Sequence, residues 1–158
     1  MIKKSSDFEN SDIIPGLYEG GYKVWECSID LSEYLAKSHD CLAGQRIIEL
    51  GCGQGIPGIT AMYLGAEEVH FQDYDPEVLQ DLTIPVVREN LRMLSLQSSP
   101  EGKVRYFSGD WGSFPAKLEE IGRMHGYDFV LTAETIYRLD CMTRILYCIK
   151  KVIRFDWN

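Results

Sequence analysis

The sequence predicts an α/β fold: a doubly wound, mostly parallel sheet of about four strands with helices on both faces. Three observations point there. Apolar strand-like runs alternate with helical runs, and parallel neighbours need such crossover helices. The first strand runs straight into three alternate glycines and a new helix, the turn that parallel sheets use at their carboxyl edge. The 158 residues are 45% hydrophobic and 25% charged, a globular composition in a chain long enough to bury one core. One domain is expected over 13–158, behind a flexible polar lead-in over 1–12.

The elements follow in order. Residues 13–25 hold Pro15, Gly16, Gly20 and Gly21 among aromatics, which predicts an ordered loop. Over 28–37, Ile29, Leu31, Tyr34 and Leu35 share one helical face, and Gly44 marks the restart after it. RIIEL at 46–50 is an apolar strand, and a helix over 57–64 follows the glycines with Pro57 in its first turn. EVHFQD at 68–73 is the second strand. Pro76 then opens a long helix to 94, with Val78, Leu82, Val86 and Leu91 on its apolar side and a kink at Pro85. A loop at 97–102 leads to a third strand at 103–107, a short helix at 117–124 and a fourth strand at 127–133. A helix over 139–153 closes the series.

Composition excludes several classes. Sixteen basic against 24 acidic residues leave a net charge of −8, so there is no basic footprint for a phosphate backbone and no direct nucleic-acid binding is expected. The charge suits solubility and attracts basic partners. No apolar run approaches the ~20 residues that span a bilayer, so no membrane association is expected. The polar start MIKKSSDFENSD is no secretory leader. Cys27, Cys41, Cys52, Cys141 and Cys148 are odd in number without a CxxC pair, and His39, His70 and His125 are scattered. Neither a disulfide framework nor a metal site is expected, and a reducing compartment fits.

ELGCGQG at 49–55 is the most informative stretch. Gly51, Gly53 and Gly55 let a ligand lie against bare main chain at the strand's carboxyl end. Gly53-x-Gly55-x-x-Gly58 also satisfies the dinucleotide pattern, which alone is weak. Two acids separate the readings. Glu49, two residues before the first glycine, would repel a pyrophosphate and pair with an amino group. Asp73 ends the second strand about 20 residues on, where a carboxylate accepts ribose hydroxyls. A ligand with a ribose, an α-amino group and no phosphate is S-adenosylmethionine. Asp75, the competing acid, is read as the cap of the helix opened by Pro76. After the third strand, Asp110 and Trp111 offer an acceptor and an aromatic face for an adenine, or a cap beside a core tryptophan. After the fourth, Glu134 stands where a reacting group would project, or caps the next helix, and Tyr137 packs or donates.

Taken together, ELGCGQG, FQDYD, SGDW and LTAETIY resemble the class I, seven-strand S-adenosylmethionine-dependent methyltransferases. PGLYEGGYKVWEC at 15–27 is narrower: it is similar to the protein-histidine N-methyltransferases of the methyltransferase-like group, which act on a ribosomal large-subunit protein. The resemblance implies a Rossmann-like sheet of which about four of the usual seven strands are present, a C-terminally truncated form. It implies that Val24, Trp25, Glu26, Cys27 and Ser28 contact the cofactor. It also puts Gly51 at the methionine end, Gln72, Asp73 and Tyr74 around the ribose, Gly109, Asp110 and Trp111 near the adenine, and Ala133 and Glu134 at the transfer site. Gly53 and Gly55 complete the cofactor loop, and Glu134 is the candidate catalytic residue. The implied acceptor is a histidine nitrogen of a basic ribosomal protein, in cytoplasm or nucleus. Two alternatives stand beside it. One is a non-catalytic form that binds cofactor or partners without turnover. The other is a nicotinamide-dependent oxidoreductase, against which Glu49 and the lack of a paired Tyr-Lys or His motif both speak.

Overall fold

The computed structural model describes residues 20–38, 41–95 and 103–154. The lead-in over 1–12, most of the loop over 13–25 and the loop at 97–102 lie outside them. Four parallel strands, β1 (Arg46–Leu50), β2 (Glu68–Asp73), β3 (Val104–Ser108) and β4 (Phe129–Thr132), form one sheet in the order β3-β2-β1-β4. Around it run α1 (Glu26–Ser38), α2 (Ile56–Tyr63), the single turn α3 (Pro76–Val78), a π turn (Leu79–Thr83), α4 (Ile84–Ser95), α5 (Phe114–Glu120) and α6 (Leu139–Val152). None of these helices is long and apolar enough to cross a membrane.

β1 is covered on both faces, which is why RIIEL reads as a run without alternation. On one face Ile47, Val69, Phe71 and Leu131 pack with Leu35 of α1, Ile59 of α2 and Val87 of α4. On the other, Ile48 and Leu50 meet Phe114 and Leu118 of α5 and Ile145, Cys148 and Val152 of α6. Strand order turns back between β1 and β4, and at such a switch point the helices diverge and leave a crevice at the carboxyl edge. The paired register Glu49↔Phe71 and Glu49↔Leu131 puts Glu49 next to that edge.

Beyond one- or two-residue shifts at element ends, three boundaries differ from expectation. α5 spans Phe114–Glu120, not 117–124, because Pro115 sits in its first turn, Phe114 is fully buried against the sheet, and Gly122 at φ +67° follows its end. β4 stops at Thr132, and Glu134 enters the left-handed region at φ +56°. The helix expected over 76–94 is three pieces. Pro85 has no N–H for the carbonyl four residues back, and just before it the Ile84 N–H reaches five residues back to the Leu79 carbonyl. The expected kink is thus a π turn.

Midway along β2, paired on both sides, His70 is fully buried. Its Nδ1 lies 2.6 Å from the Tyr127 hydroxyl. Its Nε2 stands 3.0 Å from Glu68 Oε1 without hydrogen-bond geometry, and Glu68 is paired to Arg123 at 2.9 Å. Burial lowers the imidazole from 6.5 to about 4, so the ring is neutral.

Candidate active site

The loop leaving β1 bends through left-handed glycines. At Gly51, φ is +64° and a Cβ would stand 2.7 Å from Thr135 Cγ2, so only glycine fits there. Gly58, one turn into α2, lets the helix settle on the sheet: a Cβ there would lie 2.4 Å from the Phe71 ring and 2.7 Å from Glu49 Oε2. That approach brings the Gly58 N–H to Glu49 Oε2 at 2.8 Å. Glu49 is 3% exposed, and burial lifts its carboxyl from 4.5 to about 8 against the pull of that one donor.

Asp73 ends β2, two residues beyond Phe71, the register partner of Glu49. Its Oδ2 accepts the Gly53 N–H at 2.9 Å and its Oδ1 the Asp75 N–H at 3.1 Å. Burial raises this carboxyl too, while the backbone donors hold it down. Asp75 caps α3 as expected, its Oδ1 accepting the Glu77 N–H at 2.8 Å.

Between these carboxylates and the β4 end lies a cleft of about 980 Å³, counted out to its open mouth. Its walls contain most of the residues singled out from sequence: Val24, Trp25 and Ser28 from the chain over 20–28; Glu49, Gly51, Gly53 and Gly55 from the first loop; Asp73 and Tyr74; Gly109, Asp110 and Trp111; Ala133 and Glu134. The 20–25 segment is tied across the loop. Trp25 Nε1 donates to the Gly20 carbonyl at 3.1 Å, Gln54 Nε2 to the Tyr22 carbonyl at 3.4 Å, and the Lys23 ammonium stands 4.5 Å over the Trp25 ring.

Three expected residues do not line the cleft. Glu26 and Cys27 open α1 and are exposed; the Cys27 thiol hydrogen-bonds to Glu134, which raises it. Gln72 is fully buried behind the wall, its Nε2 donating to the Gly109 carbonyl at 2.7 Å and its Oε1 accepting from Trp111 Nε1 at 2.8 Å. It therefore ties the β2 and β3 ends together and steadies the tryptophan. Asp110 reaches the cleft, but its side chain works as a turn cap: Oδ1 accepts the Gly112 N–H at 2.7 Å and Oδ2 the Ser113 hydroxyl at 2.8 Å. These bonds hold it below the usual carboxylate range. Glu134 does not cap α6, whose N-cap is Arg138; it sits exposed at the mouth. Among the lining residues the sequence reading did not propose are Gly20, Gly21, Arg138, Cys141 and Arg144. The last three enter because α6 crosses the mouth, a tertiary fact with no local signal.

A parallel sheet in this order, with a glycine loop at its switch point and acids at the carboxyl ends of its first two strands, is a fold shared with solved S-adenosylmethionine methyltransferases. The chain belongs to the family described as lysine methyltransferase, which matches residues 16–156. It is 41% identical over 155 residues to the histidine protein methyltransferase 1 homolog of Mus musculus, covering 88% of this chain and 43% of that one. The Dictyostelium discoideum homolog of the same name is 36% identical, over 87% and 40% of the two chains. The chain thus spans well under half the length of these relatives. Among solved structures, an arsenic(III) S-adenosylmethionine methyltransferase from Chlamydomonas reinhardtii superposes with a TM-score of 0.52 at 19% identity, over 72% of this chain and 36% of that one. That likeness is one of fold.

Proposed function

We propose that this chain binds S-adenosylmethionine and takes part in methylating a protein side chain, a histidine ring nitrogen in a basic ribosomal large-subunit protein of the cytoplasm or nucleus. The observation that carries the cofactor reading is the pair of buried carboxylates, Glu49 and Asp73, facing one glycine-lined cleft. The residues present fit the group. Glu49 has a single backbone donor on Oε2 and its other oxygen in reserve for an ammonium. Asp73 keeps acceptor capacity for a hydroxyl beyond its backbone donors, and Trp25 and Trp111 supply aromatic surface. A pyrophosphate would meet the buried Glu49 and Asp73 carboxyls beside the glycine loop, which speaks against a nicotinamide dinucleotide.

When bound, S-adenosylmethionine supplies a sulfonium methyl as electrophile. Glu49 must give up its proton to hold a cationic amino group, so binding there is coupled to proton release. The strap over 20–25 and the Trp111 ring would shield the bound group from water, and the cleft walls would position the acceptor against it. A neutral imidazole is already a nucleophile, and Glu134 at the mouth is suited to accept a hydrogen bond from the ring's other nitrogen and set its tautomer.

The test is calorimetric titration with S-adenosylhomocysteine, Asp73→Ala being the control. Binding by the parent chain that the variant loses supports the cofactor reading; a folded parent that does not bind refutes it. The family description favours a second acceptor, the lysine amine. Tritium transfer to histidine- and lysine-bearing peptides separates the two, and label on lysine alone would reject the imidazole.

A further inference from the structure

We infer that Thr83 is a positioning residue of the cofactor cleft: its hydroxyl, delivered by the π turn, pins the Gly53 carbonyl and so aims the Gly53 N–H at Asp73. The inference rests on reading the cleft as the S-adenosylmethionine site.

Thr83 is fully buried and closes the π turn, on the inward side with Leu79 and Val87. Packing alone asks for an apolar residue there, because a buried hydroxyl without a partner is costly. In a regular helix a threonine hydroxyl bonds back to the carbonyl four residues earlier. Here it takes other partners. Oγ1 lies 2.5 Å from the Gly53 carbonyl and 3.3 Å from the Val78 carbonyl five residues back. A hydroxyl has one proton to give, and the shorter contact to Gly53 is the one it makes. The extra residue of a π turn advances the side chains after it by about 100° relative to an α-helix, so the turn brings this hydroxyl round to the loop.

Gly53 is therefore held on both sides of its Cα. Its C=O accepts from Thr83 at 2.5 Å, and its N–H donates to Asp73 Oδ2 at 2.9 Å. That N–H is one of the groups that oppose the rise burial imposes on the Asp73 carboxyl. Gly53 sits at φ +49°, and a Cβ there would stand 3.1 Å from the Gly21 carbonyl, so strap, loop and π turn converge on this one residue. No step of the transfer needs Thr83 to touch the ligand. It acts through Gly53 and Asp73.

The experiment compares Thr83→Val, which keeps the shape and deletes the hydroxyl, with Thr83→Ser, which keeps the hydroxyl and deletes the methyl. S-adenosylhomocysteine affinity is read by calorimetry, and the Gly53 amide by proton–nitrogen NMR without ligand. Loss of one positioning hydrogen bond predicts about tenfold weaker binding for the valine variant and rescue to within about twofold for serine. The Gly53 amide proton should shift upfield in the valine variant alone. The acid limb of the binding profile should also move to higher pH there, because Asp73 loses part of its donor. Equal affinity in the valine variant, or serine as weak as valine, overturns the inference. If the parent chain binds no S-adenosylhomocysteine, the cofactor reading fails, and the ligand-free amide shift still decides whether the pin exists. If the valine variant does not fold, the parent spectrum decides: a protected Thr83 hydroxyl proton supports the pin, and one exchanging freely with water overturns it.

Discussion

Glu49 and His70 titrate in opposite senses, and the pH dependence of stability follows from the pair. For Glu49 the folded value is about 8 against 4.5 unfolded, so the folded chain binds the extra proton and stability falls as pH rises through that window. For His70 the folded value is about 4 against 6.5 unfolded, so the unfolded chain binds the extra proton and stability falls as pH drops through that window. The two windows overlap between about pH 4.5 and 6.5, where the losses offset each other, so the ligand-free protein should melt highest there. Glu49→Gln should remove the alkaline loss: thermal melts at about pH 8 should place the variant above the parent, while its S-adenosylhomocysteine affinity collapses. A variant that melts lower at that pH would refute the raised carboxyl. Calorimetry of the parent in buffers of different ionisation heat should likewise show about one proton released on binding near neutral pH. Both acids at the cleft were legible, because a carboxylate at the end of a buried parallel strand has few structural uses. Their protonation was not, since it depends on Phe71 and Leu131 on the flanking strands closing over Glu49.

β1 and β2 fall where their apolar runs fall because a strand covered on both faces leaves no freedom of register. α5 did not, since its start is fixed by Phe114 entering the core beneath the sheet and not by the helical periodicity that follows. The π turn was illegible in the same way: Pro85 announces a break, but that the Ile84 N–H takes the Leu79 carbonyl and Thr83 reaches Gly53 is seen only in the assembled fold. The tightest joint between elements is α2 on the sheet. Gly58→Ala puts a methyl 2.4 Å from the Phe71 ring and 2.7 Å from Glu49 Oε2, and α2 must lift to relieve it. Such overpacking costs ~1–3 kcal/mol, and at this chain length each kcal/mol lowers the melting point by about 2–4 °C. Gly65→Ala is the control. Its Cβ meets nothing within 4 Å, so only the φ of +86° opposes it, at roughly 1 kcal/mol. If both variants melt alike but only Gly58→Ala loses S-adenosylhomocysteine affinity, the contact would serve Glu49 alone and not the packing.

For the whole molecule, the order β3-β2-β1-β4 sets both the site and a liability. The switch point beside β1 gathers segments separated by more than a hundred residues, from Trp25 to Arg144, into one cleft. Local motifs exposed the loops that contribute to it, whereas the α6 contribution needs the sheet to be assembled first. The same order makes β4, among the described residues, the last strand on its side of the sheet. Beside it α6 presents Leu139, Met142 and Leu146 outward at three- and four-residue spacing, with Leu139 83% and Leu146 54% exposed. An exposed apolar stripe beside a terminal strand favours association, and a net charge of −8 opposes it by mutual repulsion. Repulsion is screened by salt while apolar contact is not. Sedimentation of this 158-residue chain should therefore show self-association that grows with concentration and with salt. Leu146→Lys places a charge in the stripe more than a turn away from Arg138 and Cys141, and should lower association while leaving S-adenosylhomocysteine affinity as it was. A chain that stays monomeric at high salt would mean that the α6 stripe is too narrow to associate. Association that ignores Leu146→Lys would instead assign it to the β4 edge alone.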